Sequence, residues 1–307
     1  MIYIFSKSFN PIVCNVIDWL KKFDLEFTRI NNYIEEFNKI NFTIDLNNKK
    51  PNHDFIWINK AKAENNKYNE IIYNQLIHEY HQGFFKNLSK RNVLGNTLYL
   101  TDVSKYEILR KAKKKGLNIP NTIITNQKSV LEEFSKRQES IITKSCHDIF
   151  SINIGNKTYR PYTSKINKSD IHLFDDYFGI SMFQENIEKI CDIKAFYFNG
   201  KFYSQAIFSQ KSEKTKIDFR IFSNSNPSRV TTFKLPEEVE IKTKKLLKML
   251  SLEIAVIDFI LGQNNKIYFL EINTDGVFDG ISLKCNYNIE KLIANYIYEK
   301  TKKQPFL

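Results

Sequence analysis

Apolar positions along this chain recur with two periods, and the switches between them mark its elements. Short apolar runs predict strands at residues 2–5, 27–30 and 54–58, and a helical stripe predicts a helix over 12–22. A longer helical pattern occupies 66–87 and lapses into a turn near 91–96. Together these predict a small α/β unit over residues 1–100. A second unit, 101–181, opens on a helix capped by Thr101 or Asp102, running to Lys115 and stopped by Gly116. It continues with a strand at 122–125, a helix at 129–137 and a strand at 140–144 that ends in Lys144. Residues 145–165 are polar and give no assignment. The third unit, 182–307, begins with a short strand at 182–185. A hairpin of 192–198 and 202–208 follows, turning on Asn199-Gly200. The charged, apolar-poor stretch 210–229 is expected to be mobile. Pro236 is placed in the first turn of a helix reaching Leu250, and 289–302 forms a closing helix. The expected class is α/β (α+β).

The most informative pattern is a second hairpin, with apolar strands at 255–260 and 267–273. If Asn264-Asn265 form a two-residue turn, Gln263 pairs with Lys266, and counting outward sets Asp258 opposite Glu271. Asn273 lies two residues on and shares the face of Glu271. Three oxygen-bearing side chains then stand together, the ligand type a hard divalent cation such as magnesium takes alongside phosphate and water. An ordinary hairpin with a polar, solvated face has the same spacing.

Composition narrows the setting. The 307 residues are 42% hydrophobic and 26% charged, an ordinary globular mix. No apolar run is long enough to span a membrane. The opening residues read as a strand rather than a secretory signal. Four cysteines without metal-binding or redox spacing fit reduced thiols, so a cytoplasmic location is expected. The net charge of +12 suits a nucleic acid, a nucleotide or an acidic peptide. Its densest run, Lys111 to Lys115, is explained as a solvated helix end, and no nucleic-acid motif accompanies it.

Four features in order carry a resemblance to the ATP-grasp superfamily. Lys105 precedes "GLNIPNTIIT", and Lys144 ends "SIITK". Next come "FQENIEKICDIKAFYFNGKFY" and the hairpin "VIDFI…YFLEIN". Within that superfamily the chain most resembles the ligases that crosslink ribosomally made peptides, the graspetide or microviridin type. Among these it looks most like the peptide maturases of grasp-with-spasm systems. The segments "IFSKSFN…VIDWL", "KIDFRIF", "RVTTFKLP" and "CNYNIEKLIANYI" extend the similarity over nearly the whole chain.

The resemblance implies an ATP-grasp fold with an N-terminal pre-ATP-grasp domain (1–100), a central domain (101–181) and a C-terminal domain (182–307). It implies ATP and magnesium as cofactors, with Asp258, Glu271 and Asn273 holding the metal. Lys105 and Lys144 would meet the phosphates. Gln184, Glu185 and Ile187 would line the adenine site, Glu185 and Ile187 chiefly through backbone groups. Asp192 would contact ribose or nucleotide. Asp218, Arg220 and Lys194 are the catalytic candidates. Lys194 stands where relatives carry arginine, which keeps the charge but loses the bidentate fork. The implied partner is a precursor peptide, a leader followed by a core with Thr or Ser and Asp or Glu. A homodimer is also implied. The implied reaction joins those side chains as an ester, or to lysine as an amide, through an acyl phosphate.

Two departures stand out. After Asn273 the chain reads Thr274-Asp275-Gly276-Val277-Phe278 where relatives have proline and a Gly-Gln-aromatic segment, and no glycine-rich phosphate loop follows Lys144. Two other functions remain open at this level. One is an ATP-grasp ligase that adds amino acids to a peptide or protein end. The other is a basic nucleic-acid-binding protein without catalysis.

Overall fold

The computed structural model describes residues 1–31, 55–59, 92–95, 104–146, 152–154, 157–159, 162–221, 227–274 and 276–302. The helix expected over 66–87, and the caps Thr101 and Asp102, lie outside them. Among the described residues no helix is long and apolar enough to cross a membrane.

Strands β1 (Ile2–Ser6), β2 (Phe27–Ile30), β3 (Phe55–Asn59) and β4 (Asn92–Leu94) form a parallel sheet in the order β2-β1-β3-β4. Helix α1 (Pro11–Lys22) starts where the Asn10 side chain accepts a bond from the Val13 amide at 3.4 Å, with Pro11 preset in the first turn. Its stripe of Ile12, Val13, Val16, Ile17 and Leu20 is buried.

Helix α2 (Lys105–Lys114) opens the central unit. Its cap is Ser104, whose hydroxyl accepts from the Glu107 amide at 3.2 Å. The Ser-x-x-Glu spacing of Ser104 and Glu107 is a capping-box signature. Then come β5 (Thr122–Gln127), α3 (Lys128–Lys136) and β6 (Ile141–Lys144), and the short pair β7 (Ile152–Ile154) and β8 (Lys157–Tyr159). Strands β9 (Ser164–Ile166) and β10 (Tyr177–Glu185) complete an antiparallel sheet in the order β5-β10-β6-β9. The boundary expected at 181/182 falls inside β10, so this sheet extends through Glu185. Leu131, Phe134, Ile141 and Phe183 form its core on one face. Lys144 pairs with Met182, and Ile142 with Gln184, on the other.

The last sheet is antiparallel, in the order β13-β12-β11-β14-β15. It comprises β11 (Lys189–Phe198), β12 (Lys201–Phe208), β13 (Arg229–Phe233), β14 (Ile254–Gly262) and β15 (Ile267–Asn273). Asn199 and Gly200, with φ of 46° and 78°, turn β11 into β12 as expected. Helix α4 (Glu213–Ile217) lies within the stretch expected to be mobile. Within its described residues, Thr215 and Asp218 are buried and hydrogen-bonded. Helix α5 (Glu237–Met249) begins one residue after Pro236, which occupies the cap position rather than the first turn. Helices α6 (Asp279–Cys285) and α7 (Ile289–Lys302) follow.

Alternation along β11 and β14 assigns the faces of this sheet. Ile193, Ala195, Ala255, Ile257 and Phe259 pack with Leu109 of α2 and with Leu246 and Leu247 of α5. On the opposite face, Phe196, Phe198, Ile254 and Val256 join α1 and the N-terminal sheet in one core. Farther along that same face, outside the N-terminal core, stand Asp192, Lys194 and Asp258. Phe278, in the loop that departs from the family pattern, is fully buried here, 4.6 Å from the Phe196 ring centroid. Phe278→Ala is expected to cost about 3–5 kcal/mol in a urea unfolding experiment, since it empties a ring-sized volume in the shared core.

Candidate functional site

The turn of the second hairpin is one residue longer than the spacing suggested. The Asn265 amide bonds to the Gly262 carbonyl and the Gly262 amide to the Lys266 carbonyl, both at 2.9 Å, with Asn265 left-handed at φ 59°. Continued regularly, that register would set Asp258 opposite Leu270. Instead β14 and β15 shift between Phe259, paired with Phe269, and Asp258, paired with Glu271. Leu270 is the extra residue of a β-bulge. The two departures cancel, and Asp258 faces Glu271 as expected. The bulge also reconciles the apolar pattern. Ile267, Phe269 and Ile272 all enter the α2/α5 core, while Leu270 and Glu271 both line the opposite cleft.

The cleft lies between the central sheet and this hairpin. Lys105, Lys144, Gln184, Glu185, Ile187, Asp192, Asp218, Arg220, Asp258 and Glu271 all line it. Lys194 and Asn273 stand behind these, each touching Asp258. Lys194 Nζ is 3.5 Å from Asp258 Oδ1, and Asn273 Nδ2 donates to Asp258 Oδ2 at 3.1 Å.

Charge is arranged unevenly across the carboxylate pair. Lys105 Nζ lies 3.3 Å from Glu271 Oε2. Burial works against an ionised Glu271, but the ammonium groups of Lys105 and Lys144 outweigh it and hold its carboxyl below the usual range. Burial raises Asp258 to about 6, and the facing Glu271 adds to the rise, while Lys194 only partly offsets it. Burial also lowers the Lys144 pKa, against the pull of Glu271.

A divalent cation fits this environment. Asp258 Oδ1 is buried and accepts no hydrogen bond, and the Lys194 ammonium 3.5 Å away only partly balances its charge. No three His, Cys, Asp or Glu residues converge as a metal cluster among the described residues. Two carboxylates and an amide suit magnesium, which keeps water and phosphate in its shell. Folding raises the Asp258 pKa, so its ionisation is a stability penalty that grows as pH rises from 3.8 and is full above about 6. A bound cation removes that penalty. Magnesium with ADP is therefore expected to raise the melting temperature more above pH 6 than below it, and Asp258→Asn to abolish the difference.

The other side chains are held by neighbours. Gln184, 1% exposed, donates to Thr122 Oγ1 at 2.7 Å, and its Oε1 is buried with no donor. The Glu185 amide is spent on the Asn121 carbonyl at 2.8 Å, and its carboxylate accepts from Asn121 Nδ2 at 3.0 Å. Arg220 Nε donates to Asp218 Oδ1 at 2.7 Å, and its Nη2 donates to Asp218 Oδ2. Burial opposes the charges of this pair, yet their mutual contact lowers the Asp218 pKa and raises that of Arg220, with Glu271 and Asp258 adding to the latter. Phe219, which the sequence did not single out, lines the cleft with its ring 5.4 Å from Lys194 Nζ. Buried Lys189 was also missed, because a lysine at a strand start carries no pattern of its own. Arg229 lies over the Phe208 ring at 5.2 Å.

No protein-family model matches the sequence, and no curated protein matches it. Solved structures do. A RiPP-associated ATP-grasp ligase of Chryseobacterium gregarium, in complex with ADP and a leader and core peptide, is 23% identical with a TM-score of 0.81. That match covers 97% of this chain and 96% of the other. The macrocyclase MdnC of Microcystis aeruginosa MRC, bound to precursor peptide MdnA, is 20% identical with a TM-score of 0.77, over 97% of this chain and 99% of that one. The ATP-grasp ligase PsnB, complexed with a minimal precursor, Mg and ADP, is 14% identical with a TM-score of 0.73, over 98% and 97%. The chain has the ATP-grasp fold over nearly its full length, as the order of its sequence features implied.

Proposed function

We propose that this protein is an ATP-grasp ligase that crosslinks side chains of a ribosomally made precursor peptide. The observation that carries the reading is the facing Asp258–Glu271 pair at the base of an inter-sheet cleft, with Lys105, Lys144, Lys194 and Arg220 around it. The peptide-bound ligases of the same fold support the substrate class.

Asp258, Glu271 and Asn273 would hold magnesium, which neutralises charge on the ATP phosphates. Lys105 and Lys144 bind and orient those phosphates, and the cleft wall at Gln184–Ile187 holds the base. A peptide Asp or Glu carboxylate oxygen attacks the γ-phosphorus as the bond to the ADP oxygen breaks, giving an acyl phosphate. A Ser or Thr hydroxyl, or a Lys amine, then attacks the acyl carbon. Its proton is lost, phosphate leaves, and an ester or amide remains. An ionised carboxylate is already the nucleophile, so alignment and charge neutralisation carry the catalysis. Arg220, which feels both Asp258 and Glu271, stabilises the oxygens on which charge builds. The leader would dock on a surface within residues 195–235.

The test is ADP release from Mg-ATP with the peptide encoded beside the gene. Release that requires the peptide supports the reading. Salt-sensitive nucleic-acid binding without turnover would replace it with the noncatalytic alternative.

A further inference from the structure

A buried polar cluster forms part of the cleft wall. Lys189 and Asp192 are 6% and 5% exposed, and Lys189 Nζ donates to Asp192 Oδ1 at 2.7 Å. Fully buried Ser209 donates its hydroxyl to Asp192 Oδ2 at 2.6 Å. Both carboxylate oxygens of Asp192 are thus bonded to the protein itself.

The cluster's remaining bonds lead to one segment of main chain. Lys189 Nζ also donates to the carbonyl of Ile217, at 3.3 Å. Thr215 Oγ1 donates to the Ser209 carbonyl at 2.6 Å, and Gln210 Nε2 to the Lys216 carbonyl at 3.2 Å. The segment 209–217 is therefore tied to β11 near both ends, and the next three residues are Asp218, Phe219 and Arg220. Asp218 continues the chain of contacts, accepting from the Thr163 amide at 3.2 Å and holding the Arg220 guanidinium. A buried ion pair stabilises a fold no better than apolar residues of the same volume. What it adds here is direction, because it fixes particular main-chain and hydroxyl groups.

We infer that Lys189, Asp192 and Ser209 are positioning residues that set the reach of Arg220 toward the terminal-phosphate end of the cleft. On this view Asp192 is an internal anchor and not a ribose ligand. The inference rests on the nucleotide reading of the cleft.

The experiment compares binding of Mg-ADP and Mg-AMP-PNP to wild type, Ser209→Ala and the apolar double variant Lys189→Met/Asp192→Leu. The double variant is expected to keep the wild-type melting temperature or exceed it. Both variants are expected to lose about ten-fold in affinity for Mg-AMP-PNP, and Ser209→Ala, whose side chain is not part of the cleft lining, to change Mg-ADP binding by less than about two-fold. Equal losses for both nucleotides in the double variant would restore Asp192 as a ribose contact and overturn the inference. Unchanged affinity for both would also overturn it. A second readout needs no nucleotide: deuterium uptake of residues 209–221 should rise in Ser209→Ala while that of residues 122–127 stays at the wild-type level. Wild-type uptake throughout would contradict the anchoring. If the wild-type protein binds neither nucleotide, the reading of the cleft fails, and the exchange measurement still decides the anchor.

Discussion

Glu271→Gln is expected to lower peptide-dependent turnover by about 10³-fold, or about 4 kcal/mol of transition-state stabilisation. Glutamine keeps the volume and one carbonyl oxygen but removes the charge that faces Asp258 and holds Lys105. Without it, Asp258 is the one carboxylate left of the facing pair, among the cations of Lys105, Lys144, Lys194 and Arg220, an environment that no longer selects a divalent cation. The fold should survive. The side chains that anchor β15, Phe269 and Ile272, point to the opposite core. Circular dichroism melts run beside the kinetic assay separate the two effects. Wild-type turnover in a folded variant would remove Glu271 from the metal site.

Lys144→Met should weaken Mg-ADP binding by about 10–100-fold, the loss of one charged contact worth about 1.4–2.8 kcal/mol in a dry site. Burial already disfavours the ammonium form of Lys144, so it draws on anionic partners, and Glu271 is the principal one among its neighbours. Phosphate oxygens arriving in the cleft add to that pull. Methionine retains the apolar stem opposite Met182 on β10 and deletes only the charge. Isothermal titration gives the affinity directly, and an unchanged dissociation constant would place Lys144 outside the phosphate contacts.

The facing of Asp258 and Glu271 was legible in the sequence, because counting outward from a two-residue turn at Asn264-Asn265 arrives at that pair. The route by which Asp258 meets Glu271 was not. A three-residue loop and a bulge at Leu270 each break simple counting, and their effects cancel. Only the buried partners of Ile267, Phe269 and Ile272 reveal the shift, and those are tertiary facts. Helix α2 was expected one turn early because Thr101 and Asp102 cap as well as Ser104 does in isolation. The Glu107 amide decides between them.

The segment 210–221 departs from its expected mobility for a related reason. Its charged composition resembles a solvated loop, but Thr215 and Asp218 are buried against β11 and its neighbours. The Lys189–Asp192 contact was similarly hidden. Three residues apart on a strand, the two side chains should face opposite ways, and the register shift between Lys189 and Cys191 brings them together. Phe278 shows the converse. The loop after Asn273 departs from the family pattern, yet its aromatic residue fills the core between the N-terminal sheet and β11.

The central claim, condensation within one peptide at the cost of ATP, is tested most directly by mass. The neighbouring-gene precursor, incubated with the full-length protein and Mg-ATP, should lose about 18 Da per bond formed, one water per condensation. One ADP should appear for each such loss. A gain in mass would show that amino acids are added to the peptide instead, and an unchanged mass with a verified precursor would contradict the account.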